Sequence, residues 1–355
     1  MKRLLQTLAV LLVIVFIIAG AYVGYVFAAY YRLPDMQKLT VEGGGDAART
    51  GTVYTALSFN IGFGAYSRDF GFFMDGGENA RGRSADEVRG NAEAALNTAA
   101  GAGADVIFFQ EVDVRGHRSH DIDQTAMVRD RFSGKSIVFA QNYDSPYLFY
   151  PFHEPIGSAQ AGIMTVTDLE VTSAVRRSLP IDKSFMKLLD LDRCYSVCRV
   201  PVEGGGELVM YNVHLSAYTA DESIVRGQLE MLCADMAAER GAGNYVICGG
   251  DFNCDLLGNS PEVFGVAGDF SWAKPFDTSL LPEGFTLVAP LDSAEPVASA
   301  RNADGPYVKG ESFEITLDGF IVSDNVKVIA AEVIDAGFEN SDHNPVRMEF
   351  ELLPR

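Results

Sequence analysis

The chain has 355 residues, enough for one large domain or two smaller ones, and 48% of them are apolar, so a sizeable core is available. A formal net charge of −20 excludes a general DNA- or RNA-binding surface, which needs a cationic footprint. It keeps a domain soluble and does not forbid a phosphate substrate whose charge a metal offsets.

From Leu4 to Ala29 no residue is charged. A bilayer-crossing helix needs roughly 20 apolar residues, and the flank Met1-Lys2-Arg3 favours a cytoplasmic N-terminus. The apolar run continues past Ala19-Gly20-Ala21, where a cleavable signal would stop. Residues 1–31 are therefore expected to be an uncleaved signal anchor, with a cleaved signal peptide as the alternative. The anchor predicts a single-pass cell-membrane protein with its globular part outside. Residues 32–51, with Gly43-Gly44-Gly45, read as a flexible linker. A domain over 52–355 follows.

Val53–Asn60 (VYTALSFN) predicts a strand. Ser84 to Glu87 forms a capping box that opens an Ala-rich helix to about Ala100. Asp105–Phe109 predicts a buried strand, and two more flank Asp168. Tyr195–Val200 and Leu208–His214, separated by Gly204-Gly205-Gly206, read as a hairpin. Asp221–Arg240 predicts a helix; Tyr245–Cys248, Ile315–Val322 and Val346–Leu352 predict strands. Strands outnumber helices and several neighbours are hairpin-joined. The fold class expected is α+β, a four-layered α/β sandwich of two packed mixed or antiparallel sheets flanked by helices.

Between these elements, Gly62–Arg83 is rich in aromatics and is either core packing or a membrane-facing lip. Arg176-Arg177 reads as a solvated strand face, with an anionic headgroup site as the alternative. The five cysteines contain no CxxC pair, which argues against a zinc ribbon. Cys248 and Cys254 read as packing residues.

Several predicted strands end in groups able to bind a metal or move a proton: Ser58-Phe59-Asn60, Phe109-Gln110-Glu111, Asn212-Val213-His214, Gly250-Asp251-Phe252-Asn253 and Ser341-Asp342-His343, joined by Asp318 in Leu317-Asp318-Gly319-Phe320. One polar strand end means little, because strand tips meet solvent. Together they supply the parts of phosphoester hydrolysis: oxygen ligands for a hard cation, a base for water, and a carboxylate to fix the base histidine's tautomer. The two glycines before Asp251 are expected to turn the backbone at the sheet rim and leave room for a phosphate.

The order GDFN and SDHNPV, with SFN, QEVD, NVHLSAY and LDGF, resembles the endonuclease/exonuclease/phosphatase superfamily over about residues 52–352. That resemblance implies Glu111 as principal metal ligand, Asn60 and Asp342 near the same metal, and Mg2+ (or Mn2+) as cofactor. It implies Asp251 and Asn253 orienting water and phosphate, His343 as general base and Asp318 as its partner. His214 matches the phosphate-binding histidine of the deoxyribonuclease and sphingomyelinase branches; apurinic-site enzymes lack it. The function expected is a divalent-metal-dependent phosphoesterase, membrane-tethered and acting on a lipid headgroup or small phosphorylated molecule. A surface nuclease, with nucleic acid entering as substrate alone, and a non-catalytic binding module are the alternatives. No stable protein partner is inferred.

Overall fold

Val53–Asn60 forms a strand whose alternate side chains enter two different cores. Tyr54 and Ala56 point one way and Leu57 and Phe59 the other. Tyr245–Asp251 behaves likewise: Tyr245 and Ile247 join the first of these cores, whereas Val246 and Cys248 pack against a helix on the far side. A strand covered on both faces reads as a near-continuous apolar run, as Tyr245–Cys248 does; Val53–Asn60 is interrupted by Thr55 and Ser58.

A computed structural model describes residues 1–183, 187, 191–217, 222–265, 274–292 and 294–354. The helices are α1 (Lys2–Ala29), α2 (Ala85–Gly101), α3 (Gln124–Arg131), α4 (Glu222–Gly241) and α5 (Ser260–Phe264). The strands in chain order are β1 (Gln37–Lys38), β2 (Val41–Glu42), β3 (Val53–Asn60), β4 (Val106–Gly116), β5 (Ser136–Asp144), β6 (Ala159–Thr167), β7 (Ser173–Ser178), β8 (Cys194–Pro201), β9 (Glu207–His214), β10 (Tyr245–Asp251), β11 (Phe285–Val288), β12 (Ala300–Arg301), β13 (Glu314–Ile315), β14 (Asp318–Ser323), β15 (Val326–Val333) and β16 (Val346–Leu352). One seven-stranded sheet runs β1-β7-β8-β9-β10-β14-β11, and the other runs β15-β16-β3-β4-β6-β5-β2. Both are mixed, because β3 pairs β4 and β9 pairs β10 in parallel.

The largest core lies between the sheets, with Phe108, Met210, Phe320 and Phe350. Outside one sheet, α4 buries Leu229, Leu232 and Met236; outside the other, α2 and α3 bury Leu96 and Val128. Each such side chain contributes about 1.5–3 kcal/mol. The result is the four-layered sandwich expected. Ser84 caps α2 by accepting the Glu87 N–H at 3.1 Å, and Asp123 caps α3 through the Ala126 N–H at 2.9 Å.

Three local expectations are corrected. The segment 32–51 is not a free tether: β1 and β2 pair with β7 and β5 at the sheet edges, Leu33 N–H donates to Asp192 at 2.8 Å, and Ala48 is fully buried. The edge strands offered unpaired backbone groups, and this polar segment satisfies them. Arg176 is not solvated but fully buried, donating to the Gln141 and Asp192 carbonyls at 2.7 and 2.8 Å and pairing with the Asp192 carboxylate. The covering segment and this ring of acceptors make its burial tolerable.

The third correction concerns Gly249-Gly250, which do not turn the chain; both lie inside β10. A Cβ on Gly249 would meet the Phe108 and Phe320 rings at 2.6 and 2.8 Å, and one on Gly250, at φ +155°, would meet the Val213 carbonyl oxygen at 2.0 Å. The glycines admit neighbouring protein, not phosphate. Gly250→Ala is expected to lower stability by about 3 kcal/mol or more, because backbone cannot yield as a flexible side chain does; chemical unfolding of the variant measures it.

The aromatic stretch 62–83 packs as core: Phe63, Tyr66, Phe70 and Phe72 are buried with Leu148, Ile156 and Ala303. All five cysteines are free and buried.

Candidate active site

Strand register assembles the site. Parallel pairing aligns Asn60 with Gln110 and His214 with Asp251, and antiparallel pairing aligns Asp251 with Asp318. Asp251 is thus flanked by His214 on one side and Asp318 on the other. His343 precedes β16, which runs antiparallel to β3, and a bridge to Ala300 holds it. The Ser341 hydroxyl donates to the Asn60 carbonyl at 2.8 Å and accepts the His343 N–H at 3.2 Å, so the serine of SDH ties that histidine to β3. Glu111 sits at a bulge in β4, between Phe109 and Val112, with φ 56°. A non-glycine residue in that region is strained, and such strain collects at functional sites. Below the site, Gln110 donates to Asn212 at 2.8 Å, and Asn212 donates to the Met164 carbonyl at 2.9 Å, stapling the two sheets.

His343 Nδ1 lies 2.7 Å from Asp318 Oδ2, which also accepts from the Ser299 hydroxyl at 2.8 Å. The other face of the ring looks into the cleft, with Nε2 3.8 Å from Asp251 Oδ2. His214 Nε2 approaches that same oxygen at 3.6 Å and Glu111 Oε1 at 3.9 Å. The Asn60 amide nitrogen lies 3.1 Å from Asp251 Oδ2 and 3.4 Å from Glu111 Oε1. Its carbonyl oxygen accepts the Gly62 N–H at 3.0 Å. Asn60 therefore turns its amide nitrogen toward the acidic groups and its amide oxygen toward the turn at Gly62. Asn253, at φ 48°, donates its N–H to Asp251 Oδ1 at 2.9 Å and its amide to the Leu215 carbonyl at 2.9 Å.

All eight residues singled out in the sequence come together: six of them line one cleft, and the other two, Asn60 and Asp318, bond to residues that do. Asn60 and Asp318 lie just behind its surface, and Asp342 lines it beside Glu111. The cleft encloses about 920 Å³ with its mouth included.

Its acidic groups are raised above their usual values chiefly by burial, with Arg118, Arg301 and His343 opposing. Burial raises the Glu111 carboxyl above its usual value and Asp342 adds to this; burial, helped by Asp318, pushes Asp251 up to about 7; burial also raises Asp342. Burial would pull the His343 imidazole down, yet Asp318, Asp251 and Asp342 outweigh it and hold His343 well above its usual value. His214 goes the other way: burial, Arg193 and His343 keep it well below.

A hard divalent cation fits this donor set, which is carboxylate oxygen rather than sulfur. Ligand atoms of Asp251, Asp318 and His343 lie within 4.8 Å of one another, a spacing that admits a cation. Asp318 and His343 are already bonded to each other, however, whereas Glu111 and Asp342 keep their oxygens on the cleft.

Three buried arginines that were not among the expected site residues also line the cleft: Arg118, Arg193 and Arg301. Arg118 pairs with Asp113 at 2.7 Å and lies 4.0 Å over the Phe63 ring. Asp113 is the last residue of QEVD, the one available signal. Arg301 donates to four backbone carbonyls, of Asn302, Gly305, Ser67 and Phe70. It clamps the aromatic stretch onto β12, whose Ala300 bridges to His343.

Comparison with known proteins identifies the family and the fold. The Endonuclease/Exonuclease/phosphatase family model matches residues 57–343, and the chain belongs to that family. It is accordingly a hydrolase of phosphate esters, of a divalent-metal-dependent kind. No curated protein matches it in sequence. Among solved structures it is similar to an endonuclease/exonuclease/phosphatase from Beutenbergia cavernae DSM 12333, with a TM-score of 0.56 at 15% identity over 85% of this chain and 72% of that one. A second, from Bacteroides vulgatus, gives 0.55 at 15% identity over 85% and 99%. ANGEL2, a 2',3'-cyclic phosphatase, gives 0.55 at 15% identity over 89% and 99%. At these identities the likeness is one of fold.

Proposed function

We propose that the chain is a Mg2+-dependent phosphodiesterase, tethered by α1 to the outer face of a cell membrane and acting on a lipid headgroup or a small phosphorylated molecule. The observation that carries the reading is the Asp318–His343 pair, bonded at 2.7 Å behind the cleft, with the second imidazole nitrogen 3.5 Å from the Asn60 amide nitrogen and 3.8 Å from the Asp251 carboxylate. In the proposed reaction His343 takes a proton from water as the water oxygen attacks phosphorus. Asp318 holds the Nδ1–H and balances the imidazolium that forms. The ester P–O bond opposite breaks, the leaving oxygen takes up a proton from solvent, and His343 releases the proton it took to solvent, so the cycle closes. Glu111 and Asp342 would hold the cation, which supplies charge neutralisation at the phosphate. Asp251 and Asn253 orient the water and phosphate, and Asn60 steadies Asp251 and Glu111. His214 is kept neutral, so it serves phosphate as a hydrogen-bond donor and not as a fixed charge.

The test is hydrolysis of bis(p-nitrophenyl) phosphate by the full chain in mild detergent. Activity should need Mg2+ and vanish in chelator, and Glu111→Gln should lose about a hundredfold or more in kcat/KM. A Glu111→Gln chain as active as the parent would end the reading. Plasmid DNA and phospholipid vesicles offered side by side then separate substrates: rapid nicking with untouched lipid would make the chain a surface nuclease.

A further inference from the structure

The hairpin 148–157, closed by reciprocal bonds of 3.1 Å between Leu148 and Gly157, carries at its tip the sequence Phe149-Tyr150-Pro151-Phe152. Its large side chains lie open: Phe149 is 50% exposed, Tyr150 58% and Phe152 84%. Exposed aromatics at this density on one turn are costly in water and ask for a covering surface.

Two neighbours say what covers them. The first is α1, among the described residues the one helix long and apolar enough to cross a membrane. The Tyr22 hydroxyl accepts the Phe149 N–H at 3.1 Å and donates to the Tyr147 carbonyl at 3.2 Å; the Tyr25 hydroxyl accepts the Tyr147 N–H at 3.1 Å. The Tyr22 and Phe149 rings meet edge to face at 5.2 Å. A hydrocarbon core of about 30 Å is crossed by about 20 helical residues. A span starting at Leu4 therefore runs out of core near Val23, and Tyr22 and Tyr25 fall at headgroup level, where tyrosine is favoured. The hairpin tip, fastened to these two tyrosines, falls at the same level.

The second neighbour is the cleft. Tyr150 packs on Phe73 at 5.7 Å and Phe73 on Phe72 at 4.8 Å, and Phe72, the half-exposed Met74 and Ile156 at the hairpin's base all line the cleft. One apolar strip thus runs from the membrane-length helix to the cleft mouth.

The geometry points to the tip Phe149–Phe152 as a bilayer-inserting strip that turns the cleft mouth toward the membrane holding α1, so that the ester hydrolysed is the headgroup of a lipid in that same bilayer. The substrate half of this rests on the phosphodiesterase reading; the docking half does not. With a net charge of −20, attraction to anionic headgroups cannot hold the tip down, so insertion is apolar and indifferent to salt.

The test uses the full chain in phosphatidylcholine vesicles. Phe152→Trp places a fluorophore at the tip, and brominated acyl chains should quench this added emission, relative to the parent chain, equally at low and high salt. Tyr150→Ser/Phe152→Ser should then hydrolyse an acyl-anchored p-nitrophenyl phosphodiester about tenfold more slowly than the parent, while keeping its rate on soluble bis(p-nitrophenyl) phosphate within twofold. Absent quenching overturns the docking, as does shielding that appears only as chain density rises, which would assign the strip to a second copy. Quenching with an unchanged ratio of anchored to soluble rates overturns the presentation of the cleft. Quenching in Phe152→Trp together with a parent chain that hydrolyses no phosphoester leaves the docking standing and removes the phosphodiesterase reading instead.

Discussion

His343→Ala is expected to lower kcat on a soluble phosphodiester by about 100- to 10,000-fold, the range that loss of a positioned general base produces. Its pH dependence makes the test specific. A general base works when neutral, and the acidic groups around His343 hold its proton well above the usual imidazole value. The rate of the parent chain should therefore climb as pH rises through neutrality, and this limb should disappear in the variant. Asp318→Asn gives the companion result. Removing the carboxylate bonded to Nδ1 at 2.7 Å takes away the strongest influence holding that proton, so the limb moves to lower pH. The rate falls at the same time, since an amide no longer balances the imidazolium or fixes its tautomer. A limb that stayed in place in Asp318→Asn would remove Asp318 from its role, whatever happened to the rate.

The sequence made the two sheets legible because strands covered on both faces are mostly apolar, β-branched and aromatic runs and the hairpin glycines mark their ends. It made the site legible for the same reason: parallel neighbours end together, so polar groups at strand ends converge at one rim. What it hid were relations that depend on non-local packing. Arg176 looks like any charged strand residue until segment 32–51 is seen folded across it. Gly249 and Gly250 look like a turn until Phe108, Phe320 and Val213 are seen filling the space where a side chain would stand. Arg118, Arg193 and Arg301 enter the cleft from three unrelated segments, and no spacing rule connects them. The left-handed backbone at Glu111 follows from a bulge set by pairing with β6, which no local propensity announces.

Asp251→Asn is expected to make the metal-free protein more stable while costing most of its activity. Asp251 is buried, its carboxyl is pushed up from 3.8 to about 7, and the first cause is desolvation. A carboxyl whose folded value lies above its unfolded value holds its proton more tightly when folded. Such a group disfavours folding as pH rises from about 4 toward 7, and the full effect is present above 7. At 1.36 kcal/mol per pH unit the interval corresponds to at most about 4 kcal/mol. Asparagine removes the charge, keeps the volume and retains one of the two acceptors that serve the Asn253 N–H and the Asn60 amide, so about 2 kcal/mol is the expected gain at pH 8. For a domain of this size that raises Tm by about 4 °C. The gain should shrink at pH 5.5, where the parent carboxyl keeps its proton in the fold. Added Mg2+ should close or invert the difference, because a cation bound to the folded state stabilises the chain with the full acidic cluster more. Thermal unfolding of both chains in mild detergent, with chelator at the two pH values and then with Mg2+, decides it. A variant less stable than the parent at pH 8 in chelator would mean that the Asp251 charge is already compensated by protein groups. The acidic cluster would then have no deficit for a cation to fill.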